Sequence, residues 1–98
     1  MQFLIKACDG AGMLEKRMAV RAQHLENMSR VDGKVLCAGG LLDEEGNMKG
    51  SVLILDFESR AQLDAYLETE PYVVNHVWEK IEIEPMNVVI LNGEPHRK

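Results

Sequence analysis

Two arginines and a histidine recur along one predicted helix at intervals of four and three residues. Arg17, Arg21 and His24 therefore share one side of that helix. Two guanidinium groups can hold a carboxylate or a phenolate through paired hydrogen bonds, and a histidine between them can transfer a proton near neutral pH. The spacing indicates acid–base chemistry on a small anion, and it is equally typical of a solvated, charged helix edge.

Glu70 and Tyr72, on either side of Pro71, form a second candidate feature. A carboxylate at this break between helices could orient the histidine or relay a proton, or it could serve only as a helix cap. A predicted hairpin brings Gly39-Gly40 opposite Gly50-Ser51. Glycines within strands mark bulges or close backbone approaches, so Gly40 and Ser51 either contact a ligand or shape the sheet.

The elements that must position these residues follow the order β-α-β-β-α-β. Strands are predicted over residues 2–8, 34–42, 48–57 and 76–84, with helices beginning near Leu14 and Ser59. Ser59 and Gln62 match a capping box, and a proline at position 71 ends the second helix. This order is typical of a ferredoxin-like α+β fold, in which both helices cover one face of a four-stranded antiparallel sheet.

The first helix also carries an apolar stripe, which is expected to face the core. The stripe consists of Leu14, Met18, Ala22, Leu25 and Met28. The line of Arg17, Arg21 and His24 would then lie at the shoulder of the helix, where a cleft could open against the sheet. The helix is expected to end near Val31-Asp32-Gly33, with glycine as the left-handed cap. The scattered methionines, including Met48, are expected to fill the core.

Length and charge exclude several classes of protein. The 98 residues allow one domain, 1–98, in which 92–98 is expected to be a flexible tail. A net charge of −5 without a basic stripe argues against nucleic acid and anionic membrane surfaces. No apolar run approaches the roughly 18 residues of a membrane span, and no signal peptide is evident, so the cytoplasm is the expected compartment.

Motifs for metals and cofactors are not found in the sequence. Cys8 and Cys37 do not form a C-x-x-C pair, and His76 and His96 have no partner at metal-ligand spacing. We therefore expect no metal and no cofactor. The sheet face away from the helices must be polar or covered, and apolar runs at 51–55 and 86–91 favour a second copy of the chain, giving a homodimer.

These features resemble the YCII-related family. Residues 14–25, LEKRMAVRAQHL, are similar to the first helix of that family, and the Arg-x-x-x-Arg-x-x-His pattern is the most specific part of the resemblance. Gly39-Gly40, Gly50-Ser51 and Glu70-Pro71-Tyr72 occur in the family's order. The resemblance covers about residues 1–88.

The resemblance implies dimers of the dimeric α+β barrel type and an active site with a His–Asp pair. The matching histidine is His24. The aspartate of the family's Asp-Pro-Tyr motif falls on Glu70, which keeps the carboxylate but extends it by one methylene. Relatives in degradative pathways eliminate chloride from hydroxylated chloroaromatics, and the similar muconolactone isomerases move protons on lactones, in both cases without metal or cofactor.

Three functions stay open at this point. The first is a cofactor-independent lyase, isomerase or dehydrochlorinase-like enzyme for a small anionic, cyclic or aromatic substrate, with His24 as base and Glu70 as its carboxylate partner. Arg17 and Arg21 would hold the anion. Further substrate contacts are expected from Ser51, Tyr72 and Gly40. The second is a non-catalytic dimeric binding or accessory protein that uses the same pocket, and the third is a structural role for the Arg–His line.

Overall fold

The main strands and helices occur in the predicted order, and the computed structural model describes residues 1–31 and 33–96. The elements are β1 (Gln2–Asp9), α1 (Leu14–Ser29), β2 (Lys34–Leu42), β3 (Met48–Asp56), α2 (Arg60–Thr69), α3 (Pro71–Val74), β4 (Trp78–Met86), β5 (Ile90–Leu91) and β6 (Glu94–Pro95). The first four long strands form an antiparallel sheet in the order β2-β3-β1-β4. The prediction of a ferredoxin-like α+β fold is confirmed.

The core lies between the helices and the two central strands. Phe3 and Ile5 of β1 and Leu53 and Leu55 of β3 are at most 1% exposed, and they pack in one cluster with Leu63 of α2. Because successive strand residues point to opposite faces, these side chains all lie on the helix side of the sheet.

The connection from α2 to α3 is built by local hydrogen bonds. Ser59 caps α2, since its side chain accepts from the backbone N–H of Gln62 at 3.2 Å, as the capping box predicts. Pro71 occupies the first position of α3, where its missing N–H costs nothing. Glu70, the residue between the two helices, caps α3 by accepting from the backbone N–H of Tyr72. This geometry fixes the Glu70 side chain at the junction.

The face of α1 that packs on the sheet includes Met28 but is otherwise not the predicted apolar stripe. Arg17 and His24 are 3% and 6% exposed, whereas Leu14, Met18 and Leu25 are 38%, 52% and 44% exposed. The prediction was wrong because polar side chains can occupy a core face when buried partners satisfy them, and those partners lie on other elements. Arg17 and His24 are therefore buried instead of lying at the shoulder, and Arg21 is exposed.

The end of α1 and the C-terminal segment differ slightly from the prediction. Helix α1 ends at Ser29, before the predicted end at 31–33, and the part of that prediction that concerns residue 32 lies outside the described residues. Strands β5 and β6 form a small hairpin with Asn92 and Gly93 at positive φ in its turn. Part of the segment 92–98 is thus paired instead of frayed, and residues 97–98 also lie outside the description.

The sheet face opposite the helices is only partly covered. Leu4, Val52 and Ile54 alternate with the core residues, point to this face and are half-buried. In the part of the chain that the structure describes, no helix is both long enough and apolar enough to cross a membrane.

Candidate active site

His24 and Glu70 are in contact at the centre of the site. Nδ1 of His24 lies 2.5 Å from Oε1 of Glu70, across 46 positions of sequence, and Glu70 is completely buried. A carboxylate can only accept hydrogen bonds, so Nδ1 carries the proton and Nε2 keeps its lone pair in the neutral ring. Since His24 lines a cleft, Nε2 is the ring nitrogen available to a ligand there.

Glu70 is held by two further donors. The Tyr66 hydroxyl donates to Oε2 at 2.5 Å, and the Tyr72 backbone N–H donates to Oε1 at 3.1 Å. Burial raises the pKa of Tyr66 well above its ordinary value, and the negative charge of Glu70 and the hydrogen bond raise it further. Tyr66 therefore stays protonated and remains a donor, which keeps the carboxylate turned toward His24.

Arg17 is engaged by protein groups. Its Nη1 donates to both carboxylate oxygens of Asp9 at 2.9 and 3.1 Å, and its Nη2 donates to Oγ of Ser51 at 2.8 Å. Burial raises the pKa of Asp9, while the charge and hydrogen bond of Arg17 act in the opposite direction. Arg17 thus links α1 to β1 and β3. Ser51 accepts from Arg17, so its own O–H proton is available to a ligand.

Aromatic rings fix the plane of the imidazole. The rings of His24 and Tyr72 stack with centroids 4.0 Å apart and planes inclined by 19°. Trp78 packs edge-on against both rings, at 6.1 Å from His24 and 5.6 Å from Tyr72. Arg17 also packs against this group, with its Cζ 4.7 Å from the Tyr72 ring centroid. The imidazole therefore has little freedom to rotate away from Glu70.

A cleft of about 100 Å³ opens between α1 and the β2–β3 hairpin. Cavities of roughly 150 Å³ hold benzene, so this smaller cleft suits a short acid or part of one small ring, with the rest of the ring at the cleft mouth. Arg21 lines it, is exposed, and forms no ion pair or side-chain hydrogen bond with residues 1–31 or 33–96. Arg21 is therefore a cation at the cleft that no carboxylate of the described residues neutralises.

The predicted site residues lie close together in the structure. Six of them line the cleft, and Glu70 lies behind His24; the six are Arg17, Arg21, His24, Gly40, Ser51 and Tyr72. The sequence reasoning missed Asp9 and Tyr66. The four-residue spacing from Tyr66 to Glu70 was a usable signal, whereas nothing local identifies Asp9 as the partner of Arg17. Across the described ranges, His, Cys, Asp and Glu side chains do not cluster in threes suited to a metal ion.

Comparison with known proteins finds relatives that span nearly the whole chain. The sequence pattern of the YCII-related domain matches residues 1–87. Protein YciI of Escherichia coli O6:H1 is 33% identical over 97 residues, which is 91% of this chain and 99% of that protein.

Solved structures show the same fold. The 5-chloro-2-hydroxyhydroquinone dehydrochlorinase TftG from Burkholderia phenoliruptrix AC1100, in complex with 2,5-dihydroxybenzoquinone, is similar with a TM-score of 0.81 and 26% identity. That match covers 89% of this chain and 94% of TftG. An antibiotic biosynthesis monooxygenase matches with a TM-score of 0.58 at 16% identity, over 91% of this chain and 98% of its own, and this likeness concerns the fold alone.

Proposed function

The chain belongs to the YCII-related family, and on that basis we propose that it is a cytoplasmic, cofactor-independent acid–base enzyme for a small anionic ring compound. Its class would be lyase or isomerase, including dehydrochlorinase-like elimination. The observation that carries the proposal is the buried His24–Glu70 contact, which leaves Nε2 as the free base at the cleft. Similarity to TftG, a dehydrochlorinase in complex with a small ring, supports the substrate class.

In the proposed reaction, Nε2 of His24 removes a proton from a hydroxyl or carbon of the substrate. Glu70 holds Nδ1–H and stabilises the imidazolium that forms. In an isomerisation the ring returns the proton to another substrate atom. In an elimination the electron pair left by the proton expels chloride, and the imidazolium then releases its proton to solvent. Proton and chloride both come from the substrate, so no oxidant is needed.

Arg21 is the group proposed to bind the anion. The charge of Arg17 is offset by Asp9 at 2.9 Å, whereas Arg21 has no such neighbour among the described residues. One uncompensated cation favours a substrate with a single negative charge, such as a monocarboxylate or a phenolate. Ser51 adds a hydroxyl donor, and Tyr72 and the backbone of Gly40 line the same cleft. Arg17 acts through Ser51 and Tyr72, which it contacts directly.

The test compares the wild type with His24→Gln. Glutamine can still donate to Glu70, so the buried carboxylate keeps a partner and the fold is retained, while the base is lost. A thermal-shift screen of carboxylates, phenolates, lactones and chlorinated hydroxyhydroquinones would be followed by product analysis. Ligand at 100 times its Kd stabilises by about 2.7 kcal/mol. We expect turnover in the wild type and in His96→Ala, a histidine outside the cleft, and none in His24→Gln; equal turnover in His24→Gln would refute the proposal.

A binding protein without turnover is the second candidate. His24 is held between Tyr72 and Glu70. The same arrangement would bind a ligand without turnover if Nε2 only accepted a hydrogen bond from that ligand. This function predicts thermal stabilisation by the same anions, with every ligand recovered unchanged after prolonged incubation.

We further propose that two copies pair through the partly covered sheet face. The support is the row of half-buried apolar side chains that includes Val52 and Ile54. Val52→Lys should therefore give a monomer in sedimentation equilibrium. Met18→Lys introduces the same charge on the exposed stripe of α1 and should leave the wild-type mass unchanged. A dimer that survives Val52→Lys and dissociates in Met18→Lys would assign the interface to the helices.

A further inference from the structure

One part of the cleft wall is built from thioether and aliphatic side chains. Leu25 and Met28 of α1 and Met48 of β3 line the same cleft as the polar groups of the site. Methionine is flexible and polarisable, and its sulfur makes favourable contacts with aromatic rings. Met48 was expected to fill the core, but it contributes to the wall of this small cavity instead.

The position of Met48 depends on the missing side chain of Gly40. A Cβ atom placed on Gly40 would lie 2.2 Å from Sδ of Met48 and 3.2 Å from its Cε. The thioether thus occupies the space that a side chain at position 40 would take. Gly40 pairs with Ser51 across the hairpin, and Ser51 also lines the cleft, so this space opens on the cleft side of the sheet.

We propose that the Gly40–Met48 pair sets the largest ring substituent that the cleft accepts. This inference rests on the proposed function and extends it to substrate choice. The preferred substrate is a singly charged ring with one small apolar substituent, of the size of chlorine or methyl, that packs against Met48. A methyl on residue 40 displaces the end of a flexible side chain and leaves the backbone in place. The added methyl removes roughly 30 Å³, which is the volume that one water molecule takes in the liquid, from a cavity of about 100 Å³. Substituent size is therefore limited by one side chain.

The test measures dissociation constants for phenolates that carry hydrogen, fluorine, chlorine, bromine or iodine at the para position. The proteins are the wild type, Gly40→Ala, Met48→Ala and the double variant. Hydrophobic pockets discriminate one methylene by roughly 10- to 200-fold. We expect Gly40→Ala to weaken the larger halophenolates by at least about 10-fold relative to phenolate, and Met48→Ala to shift the preference toward bromine and iodine. In the double variant the Gly40→Ala penalty should disappear, because the displaced thioether is gone.

Gly39→Ala is the matched control for backbone effects. Gly39 also lines the cleft, but its Cβ would point to the opposite face of the sheet from that of Gly40 and would meet no atom within 4 Å. Its ranking of the halophenolates should equal that of the wild type. If binding depends on His24 but neither Gly40→Ala nor Met48→Ala alters the ranking of the halophenolates, this inference is overturned. The proposed function would then still stand. Failure of the wild type to bind any member at millimolar concentration would overturn this inference.

Discussion

The hydroxyl of Tyr66 offers a direct measure of how strongly the buried carboxylate holds the site together. It donates to Oε2 of Glu70 at 2.5 Å, and in the described part of the chain that oxygen accepts no other hydrogen bond. The second tyrosine provides the control. Tyr72 is 1% exposed, yet its hydroxyl forms no hydrogen bond to residues 1–31 or 33–96. Tyr66→Phe and Tyr72→Phe therefore remove the same atom from two buried rings, with and without a bonded carboxylate.

The expected magnitudes follow from this difference. A hydrogen bond to a charged group contributes about 1.5–3 kcal/mol, and Tyr66→Phe also leaves Oε2 of Glu70 buried without a donor. We expect the free energy of unfolding to fall by about 2 kcal/mol in Tyr66→Phe and by less than about 0.5 kcal/mol in Tyr72→Phe. For a chain of 98 residues, the larger loss lowers Tm by roughly 8–16 °C.

Urea denaturation followed by circular dichroism measures both values. All proteins are compared at one concentration, because association would make stability concentration-dependent. Equal m values would show that the variants expose the same surface on unfolding. If the two variants lose the same stability, or if Tyr66→Phe lies within about 0.5 kcal/mol of the wild type, the Tyr66–Glu70 bond does not stabilise the fold as argued here.

Three further predictions concern the sheet, the second helix and alkaline pH. A Cβ on Gly50 would lie 2.4 Å from the backbone oxygen of Ala7, so Gly50→Ala should destabilise by about 1–3 kcal/mol in urea denaturation; Gly39→Ala, whose methyl meets open space, should not. Ser59→Ala removes the cap of α2 and should cost about 1 kcal/mol in the same assay, whereas Ser59→Asp should restore it. Burial raises the pKa of Tyr66 and Tyr72, so the folded chain keeps protons that the unfolded chain loses near pH 10, and stability should decrease as the pH rises above about 10. Tyrosinate absorbance that develops near pH 10 while the circular dichroism stays native would contradict this last expectation.

Local sequence signals predicted most of the fold. The strand at 34–42 was predicted with its final bounds, and Ser59 and Pro71 correctly placed the start and the end of α2. These signals work because capping and proline effects act over three or four residues. The orientation of α1 could not be predicted in this way. Leu14, Met18 and Leu25 are exposed because Arg17 and His24 take the inner face. Contacts with residues on other elements make that burial favourable.

The residues of the candidate site could likewise be predicted only where a local sequence signal identifies them. Arg17, Arg21 and His24 were found from helical spacing, and Glu70 from its place at the break between two helices and then from the resemblance to a family motif. Asp9 escaped detection because only the folded sheet brings the end of β1 next to α1. The same cause explains why Arg17, expected to hold an anion, is occupied by a protein carboxylate.

The position of β1 in the middle of the sheet has a consequence for synthesis. This strand is made before both of its neighbours, since it pairs with β3, which ends at residue 56, and with β4, which ends at residue 86. At about 5–20 residues per second, roughly 4–15 seconds separate the end of β1 from the end of β4. During that interval Phe3 and Ile5 lack part of the covering that they have in the folded chain, and this apolar surface is open to non-native contacts. A substitution that slows the pairing of β4 with β1 would therefore prolong this exposure during synthesis, even where the folded protein is as stable as the wild type.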